Sequence, residues 1–134
     1  MKQLRHVVLV EDDPDIAALA QIALRDFGQL ECTHFSSGEE ALERLPAIAP
    51  DLIVLDFRLP GMNGQQVLEK IRSDGANPQP PVVFMTASLM PNHVEKLIAA
   101  GALAVLPKPF DPLALPDRLK EIWESTQCMP SRVQ

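Results

Sequence analysis

Residues 4–10 read LRHVVLV, an apolar, β-branched run of strand length. Asp13-Pro14 follows, pairing an N-cap residue with proline at the first helical position. Ile16, Leu19, Ala20, Ala23, Leu24 and Phe27 then recur at helical spacing, which predicts one buried helix face, and Gly28 ends the helix. Residues 30–35 read as a second, more polar strand, expected nearer a sheet edge. Ser36 or Ser37 caps a short helix through Leu45, with Pro46 as its stop. Residues 51–56 (DLIVLD) form a third strand with an unbroken apolar centre, a pattern that suits a parallel sheet covered on both faces.

The second half repeats the alternation. Pro60-Gly61-Met62-Asn63-Gly64 is a tight turn before a helix that carries Val67, Leu68 and Ile71 on one side. Residues 74–80 are a loop rich in Pro, Gly and Asn, and residues 81–86 are strand four. A helix near residues 91–100 ends at Gly101, and residues 103–106 are strand five. The last helix is expected to run to about Glu124. Pro116 in its first turns predicts a late start or a distorted opening turn. Residues 127–134 have no periodicity and read as a loose tail, which leaves one domain over residues 1–126. Strand and helix alternate five times, so the fold class is α/β, a doubly wound (βα)5 arrangement with right-handed crossovers.

Composition narrows the function classes. The 134 residues are 46% hydrophobic and 22% charged, ordinary for a globular domain. A net charge of −6 argues against a nucleic-acid surface, which needs clustered Lys and Arg. No apolar run approaches the ~20 residues that span a bilayer, and the first strand begins too early for a secretory signal, so no membrane partner is expected. Cys32 and Cys128 lack metal or redox spacing, the first reading as a buried small hydrophobe and the second as a tail thiol. Together these features predict a cytoplasmic protein.

In doubly wound folds, ligands bind beyond the carboxyl ends of the strands, so the residues just after each strand carry the chemistry. Strand one ends in Glu11-Asp12-Asp13, strand three in Asp56 and strand four in Thr86, while Lys108-Pro109 closely follows strand five. Carboxylate-rich oxygen ligands suit a hard cation, and Mg²⁺ fits best if waters and a phosphoryl oxygen complete an octahedron. A carboxylate is already ionised at neutral pH and can attack phosphorus without a general base. Catalysis would then be positioning plus charge stabilisation by the metal, Lys108 and Thr86.

The segments VVLVEDDP, DLIVLDFRLPGMNG, VVFMTA and PKPF together resemble the receiver domain of two-component response regulators, in a stand-alone, chemotaxis-regulator-like form. Each motif alone is weak. Their order, with 30 residues from Asp56 to Thr86 and 22 from Thr86 to Lys108, is highly specific. The resemblance implies a flavodoxin-like three-layer sandwich whose five-stranded parallel sheet runs in the order 2-1-3-4-5. It implies that Asp56 is the phosphoacceptor, that Asp12 binds Mg²⁺ directly and Glu11 through water, and that the Arg58 backbone carbonyl completes the protein ligands with Asp56. Thr86 and Lys108 would engage the phosphoryl oxygens, and the Lys108-Pro109 bond would be cis. The domain would take its phosphoryl group from a sensor histidine kinase or histidine phosphotransfer protein, catalyse nothing beyond its own phosphorylation and dephosphorylation, and act on a downstream protein through helix four, strand five and helix five. Many relatives carry an aromatic ring where this chain has Val105, so signalling is expected through backbone shifts in residues 87–92 and in strand five.

Plainer explanations compete at several positions. Asp13, directly before Pro14, is better explained as a helix cap than as a ligand. Gly61 and Gly64 read as turn residues rather than a phosphate loop, and Trp123 as core. His6, His34 and His93 share no spacing, so structural or surface roles are expected. Two rival functions remain: an interaction module that works without phosphorylation, and an enzyme on the same fold. An intact Asp56, Thr86 and Lys108 argues against the first. The acidic loop after strand one argues against a flavin phosphate site, and no second acid stands out for a phosphohydrolase.

Overall fold

The computed structural model describes residues 3–73 and 80–128. Five parallel strands form one sheet in the order β2-β1-β3-β4-β5, as expected. They are β1 His6–Val10, β2 Glu31–Phe35, β3 Leu52–Asp56, β4 Val82–Thr86 and β5 Ala104–Pro107. The helices are α1 Pro14–Ile22, α2 Gly38–Ile48, α3 Gly64–Ser73, α4 Pro91–Ala99 and α5 Leu115–Cys128.

Alternation along the strands sends successive side chains to opposite faces and divides the core in two. Val7, Leu9, Leu52, Val54, Val83 and Met85 pack with α1 and α5, where Trp123 is buried. Val8, Val10, Ile53, Leu55, Val82 and Phe84 pack with α2, α3 and α4. The central strands β3 and β4 are buried at every position, which explains their unbroken apolar reading. Cys32 is buried as expected.

Three helices depart from expectation. Along α1 and the turn that continues it, Ala17, Ala20, Ala23 and Leu24 are buried, whereas Leu19 and Phe27 are 45% and 58% exposed. At about 100° per residue, Leu19 falls on the flank of that buried face. Phe27 is displaced because residues Ala23–Phe27 form a π-helical stretch, closed by a bond from Gly28 N–H to Ala23 O. The wider turn rotates Phe27 away from the core. Pro46 does not stop α2, which runs on to Ile48. Proline removes one bond near the helix end, but Leu45 and Ile48 still pack on the core and Ala49 N–H closes the last turn on Leu45 O. α5 begins at Leu115 with Pro116 in its first turn, where no intrahelical donor is needed, and it extends past Glu124 to Cys128. Residues 127 and 128 are therefore helical, and residues 129–134 lie outside the described residues. The Cys128 side chain and most of the 74–80 loop lie outside them too.

Candidate functional site: an acidic pocket at the carboxyl edge of the sheet

Four strands deliver polar residues to one edge. Among the described residues, the only polar or charged side chains that are fully buried are Glu11, Asp56 and Thr86, at 3%, 5% and 5% exposure. All three end strands or follow them directly. Burying such groups is unfavourable unless they are paired, so an otherwise apolar core that admits only these concentrates its polar chemistry here.

Local structure fixes each group. Asp13 is a cap, as expected: its carboxylate accepts from the N–H groups of Asp15 and Ile16. This starts α1 at once and leaves Glu11 and Asp12 in the short link from β1. Glu11 Oε2 accepts from Asp13 N–H at 3.2 Å, and the Glu11 carbonyl bonds the His34 ring at 2.7 Å. Beyond β3, Asn63 and Gln66 form a reciprocal capping box, each side-chain oxygen accepting the other's N–H at 2.9 Å. Gly64 begins α3 so close to β3 that a Cβ there would lie 2.7 Å from Asp56 O and 2.8 Å from the Phe84 ring. Gly64 thus does more than turn the chain. It lets α3 press against the strand end that carries Asp56.

Oxygens of Glu11, Asp12 and Asp56 converge within 4.8 Å of one another. Lys108 bridges two of them, its Nζ lying 2.9 Å from Glu11 Oε1 and 3.2 Å from Asp56 Oδ2. Lys108-Pro109 is cis, and Lys108 N–H bonds Thr86 O at 2.9 Å, tying the lysine backbone to the end of β4. Asp56 Oδ1 accepts from Arg58 N–H at 3.3 Å. Among the described residues, three carboxylates thus converge in the pocket and the Lys108 ammonium contacts two of them.

The proton affinities follow from burial together with these charges. Burial raises the Glu11 pKa above the usual carboxylate value, with the Asp56 charge adding to it, and the bond to Lys108 only partly offsets this. For Lys108, burial lowers the pKa, but the Glu11 bond and the Asp56 charge outweigh it, so the net shift is upward. Glu11 thus holds its proton more tightly chiefly because it is buried, and Lys108 holds its own because two carboxylates face it. Carboxylate oxygens converging in this way fit a hard divalent cation.

Thr86 lies at the same edge with its hydroxyl engaged: Ser88 N–H donates to Oγ1 at 3.2 Å, and His93 Nε2 lies 3.4 Å away. His93 was expected in a structural or surface role, and its contacts are structural. Its ring stands edge-on to Phe57 at a centroid distance of 4.6 Å. His6 and His34 bond Thr33 Oγ1 and the Glu11 carbonyl, respectively.

Residues 7–120 match the response regulator receiver domain family. The chain belongs to that family. It is 37% identical over 131 residues to the DNA-binding transcriptional regulator NtrC of Escherichia coli K12, spanning 96% of this chain and 27% of that protein. It is 34% identical over 116 residues to the DNA-binding response regulator MtrA of Mycolicibacterium smegmatis, spanning 87% of this chain and 49% of that protein. The receiver domain thus corresponds to between a quarter and a half of the length of these relatives. Among solved structures, Vibrio cholerae chemotaxis protein CheY4 superposes with a TM-score of 0.81 at 27% identity, covering 89% of this chain and 98% of that one. Membership makes this a domain of phosphorylation-dependent signalling, and receiver domains typically act as switches rather than as enzymes. Among the described residues no helix is long and apolar enough to cross a membrane.

Proposed function

We propose that Asp56 accepts a phosphoryl group from a histidine kinase or histidine phosphotransfer protein, and that the phosphorylated domain signals by binding a protein partner. The observation that carries this is a buried carboxylate ending an apolar strand, 3.2 Å from the Lys108 ammonium and within reach of two further carboxylates. Each Asp56 oxygen uses one of its lone-pair positions, Oδ1 toward Arg58 N–H and Oδ2 toward Lys108, which leaves electron pairs for attack. An Asp56 oxygen forms the new O–P bond while the P–N bond to the donor imidazole breaks, and the imidazole leaves.

Glu11, Asp12, Asp56 and the Arg58 carbonyl are the residues that would hold Mg²⁺. When bound, the ion neutralises charge on the transferring phosphoryl oxygens. Lys108 leaves Asp56 to pair with a phosphoryl oxygen and keeps its backbone anchor on Thr86 O. The Thr86 hydroxyl turns to donate to another. Both are charge-assisted bonds: Lys108 exchanges one anionic partner for another, and Thr86 exchanges a neutral contact for a stronger one. The partner face is formed by α4, β5 and α5.

Incubation with acetyl phosphate and Mg²⁺, followed by intact mass measurement, tests this. One phosphoryl group is expected on the wild type and none on Asp56→Asn. Equal uptake by Asp56→Asn would exclude Asp56 as the acceptor.

A further inference from the structure

A threonine hydroxyl has one proton and two lone pairs. In Thr86, Ser88 N–H occupies one lone pair, and His93 Nε2, at 3.4 Å, is the other side-chain partner. That separation is long for a hydrogen bond, so the contact is weak and easily given up. The imidazole does not depend on it for its position. It stands at 87° to the Phe57 ring, which itself meets Phe84 edge-on at 6.1 Å. Phe57 directly follows Asp56, and Phe84 is two residues before Thr86 on the neighbouring strand. One imidazole on the first turn of α4 thus touches both strand ends that carry the phosphoryl chemistry, through a ring contact on one side and the hydroxyl on the other.

We propose that His93 is a positioning residue: it holds the Thr86 hydroxyl toward α4 in the unphosphorylated domain and releases it when Asp56 carries its phosphoryl group. This rests on Asp56 being the acceptor. With Ser88 N–H on one lone pair, a hydroxyl that donates its single proton to His93 Nε2 has none left for a phosphoryl oxygen, so engagement at one is loss at the other. The first turn of α4 then senses phosphorylation through a side chain, although Val105 offers no ring to do so. The linkage is reciprocal, because whatever draws the first turn of α4 away frees Thr86 for the phosphoryl group.

The test uses the whole chain with Mg²⁺ and beryllofluoride, a phosphoryl mimic, observed through the imidazole ¹⁵N resonances and the backbone amides. On addition, His93 Nε2 should shift together with the Asp56 and Phe57 amides, while the His6 ring stays put. Replacing His93 with Phe keeps a ring on Phe57 and deletes Nε2. That change should tighten beryllofluoride binding about 2- to 5-fold, the range expected for removing one weak hydrogen bond from the free state. In a Thr86→Val background, which lacks the hydroxyl, His93→Phe should have no effect. A moving Asp56 amide with a silent His93 Nε2 would overturn the positioning role and leave Asp56 as acceptor. Equal effects of His93→Phe with and without the Thr86 hydroxyl would overturn it as well. Silence at both Asp56 and His93 would overturn both assignments, and the wild-type resonances decide this even if a variant fails to fold.

Discussion

Lys108→Ala should destabilise the domain in a way that depends on pH and on Mg²⁺. The Lys108 ammonium touches Glu11 at 2.9 Å and Asp56 at 3.2 Å, and both carboxylates are buried. Removing one partner of a buried ion pair costs about 3–5 kcal/mol, because the remaining charge is left uncompensated. Here the lower end, about 3 kcal/mol, is expected near pH 7.5. Lys108 keeps some solvent contact, and the folded state has a way to relax: Glu11 can take up a proton. Its pKa is already raised by burial, and loss of the lysine bond removes a lowering influence. A carboxyl with a raised folded pKa favours the folded state below its unfolded value and loses that advantage as pH rises through the folded value. Stability of Lys108→Ala should therefore fall more steeply than that of the wild type as pH rises from 5 to 8, and the gap between them should narrow in acid. Urea unfolding at several pH values, with and without Mg²⁺ at matched ionic strength, measures this. A deficit below about 1 kcal/mol, or one that does not change with pH, would refute the idea that Lys108 is the main counterion of this pocket.

Three further outcomes are expected. Mg²⁺ at ten times its Kd should stabilise the wild-type fold by about 1.4 kcal/mol, and thermal melts should show the rise missing in Asp12→Ala; an unchanged wild-type midpoint would contradict the cation site. Gly64→Ala should lose about 1–3 kcal/mol and phosphorylate more slowly, because its Cβ would meet the backbone of Asp56 and Phe57, and paired urea curves and acetyl phosphate kinetics check both effects. Burial pushes the Cys32 thiol up to about 11 from its ordinary 9.0, against a smaller opposing effect of the Arg25 charge. The folded state therefore loses stability as pH rises from 9 toward 11, by about 2 kcal/mol at pH 11, and Cys32→Val should flatten that part of the curve.

The parallel sheet was legible because β3 and β4 are buried on both faces and so read as continuous apolar runs. The pocket was legible as a set: Glu11, Asp56 and Thr86 end or follow apolar strands, and although each alone could be a loop acid, a cap or a strand residue, the fold brings those ends to one edge. The π-helical stretch at Ala23–Phe27 was not legible. Its apolar spacing is compatible with an ordinary helix, and the stretch ends at Gly28, where a Cβ would lie 2.7 Å from Leu24 O and from Pro116 Cβ, a close approach that spacing along the chain does not reveal. Pro46 read as a stop because a single residue was weighed without the core contacts of Leu45 before it and Ile48 beyond it. His93 carried no local signal at all. One clue was available in topology, since a helix returning after a short link brings its first turn beside the end of the strand it follows. His93 sits in that first turn, seven residues after Thr86.

Chemical trapping addresses Asp56 most directly. After phosphorylation by acetyl phosphate and Mg²⁺, borohydride reduces an aspartyl phosphate to homoserine, and peptide sequencing by mass spectrometry locates it. Homoserine is predicted at position 56 alone, formed only when Mg²⁺ is present during phosphorylation. Homoserine at Asp12 instead, or phosphate uptake that leaves Asp56 unreduced, would contradict Asp56 as the phosphoacceptor.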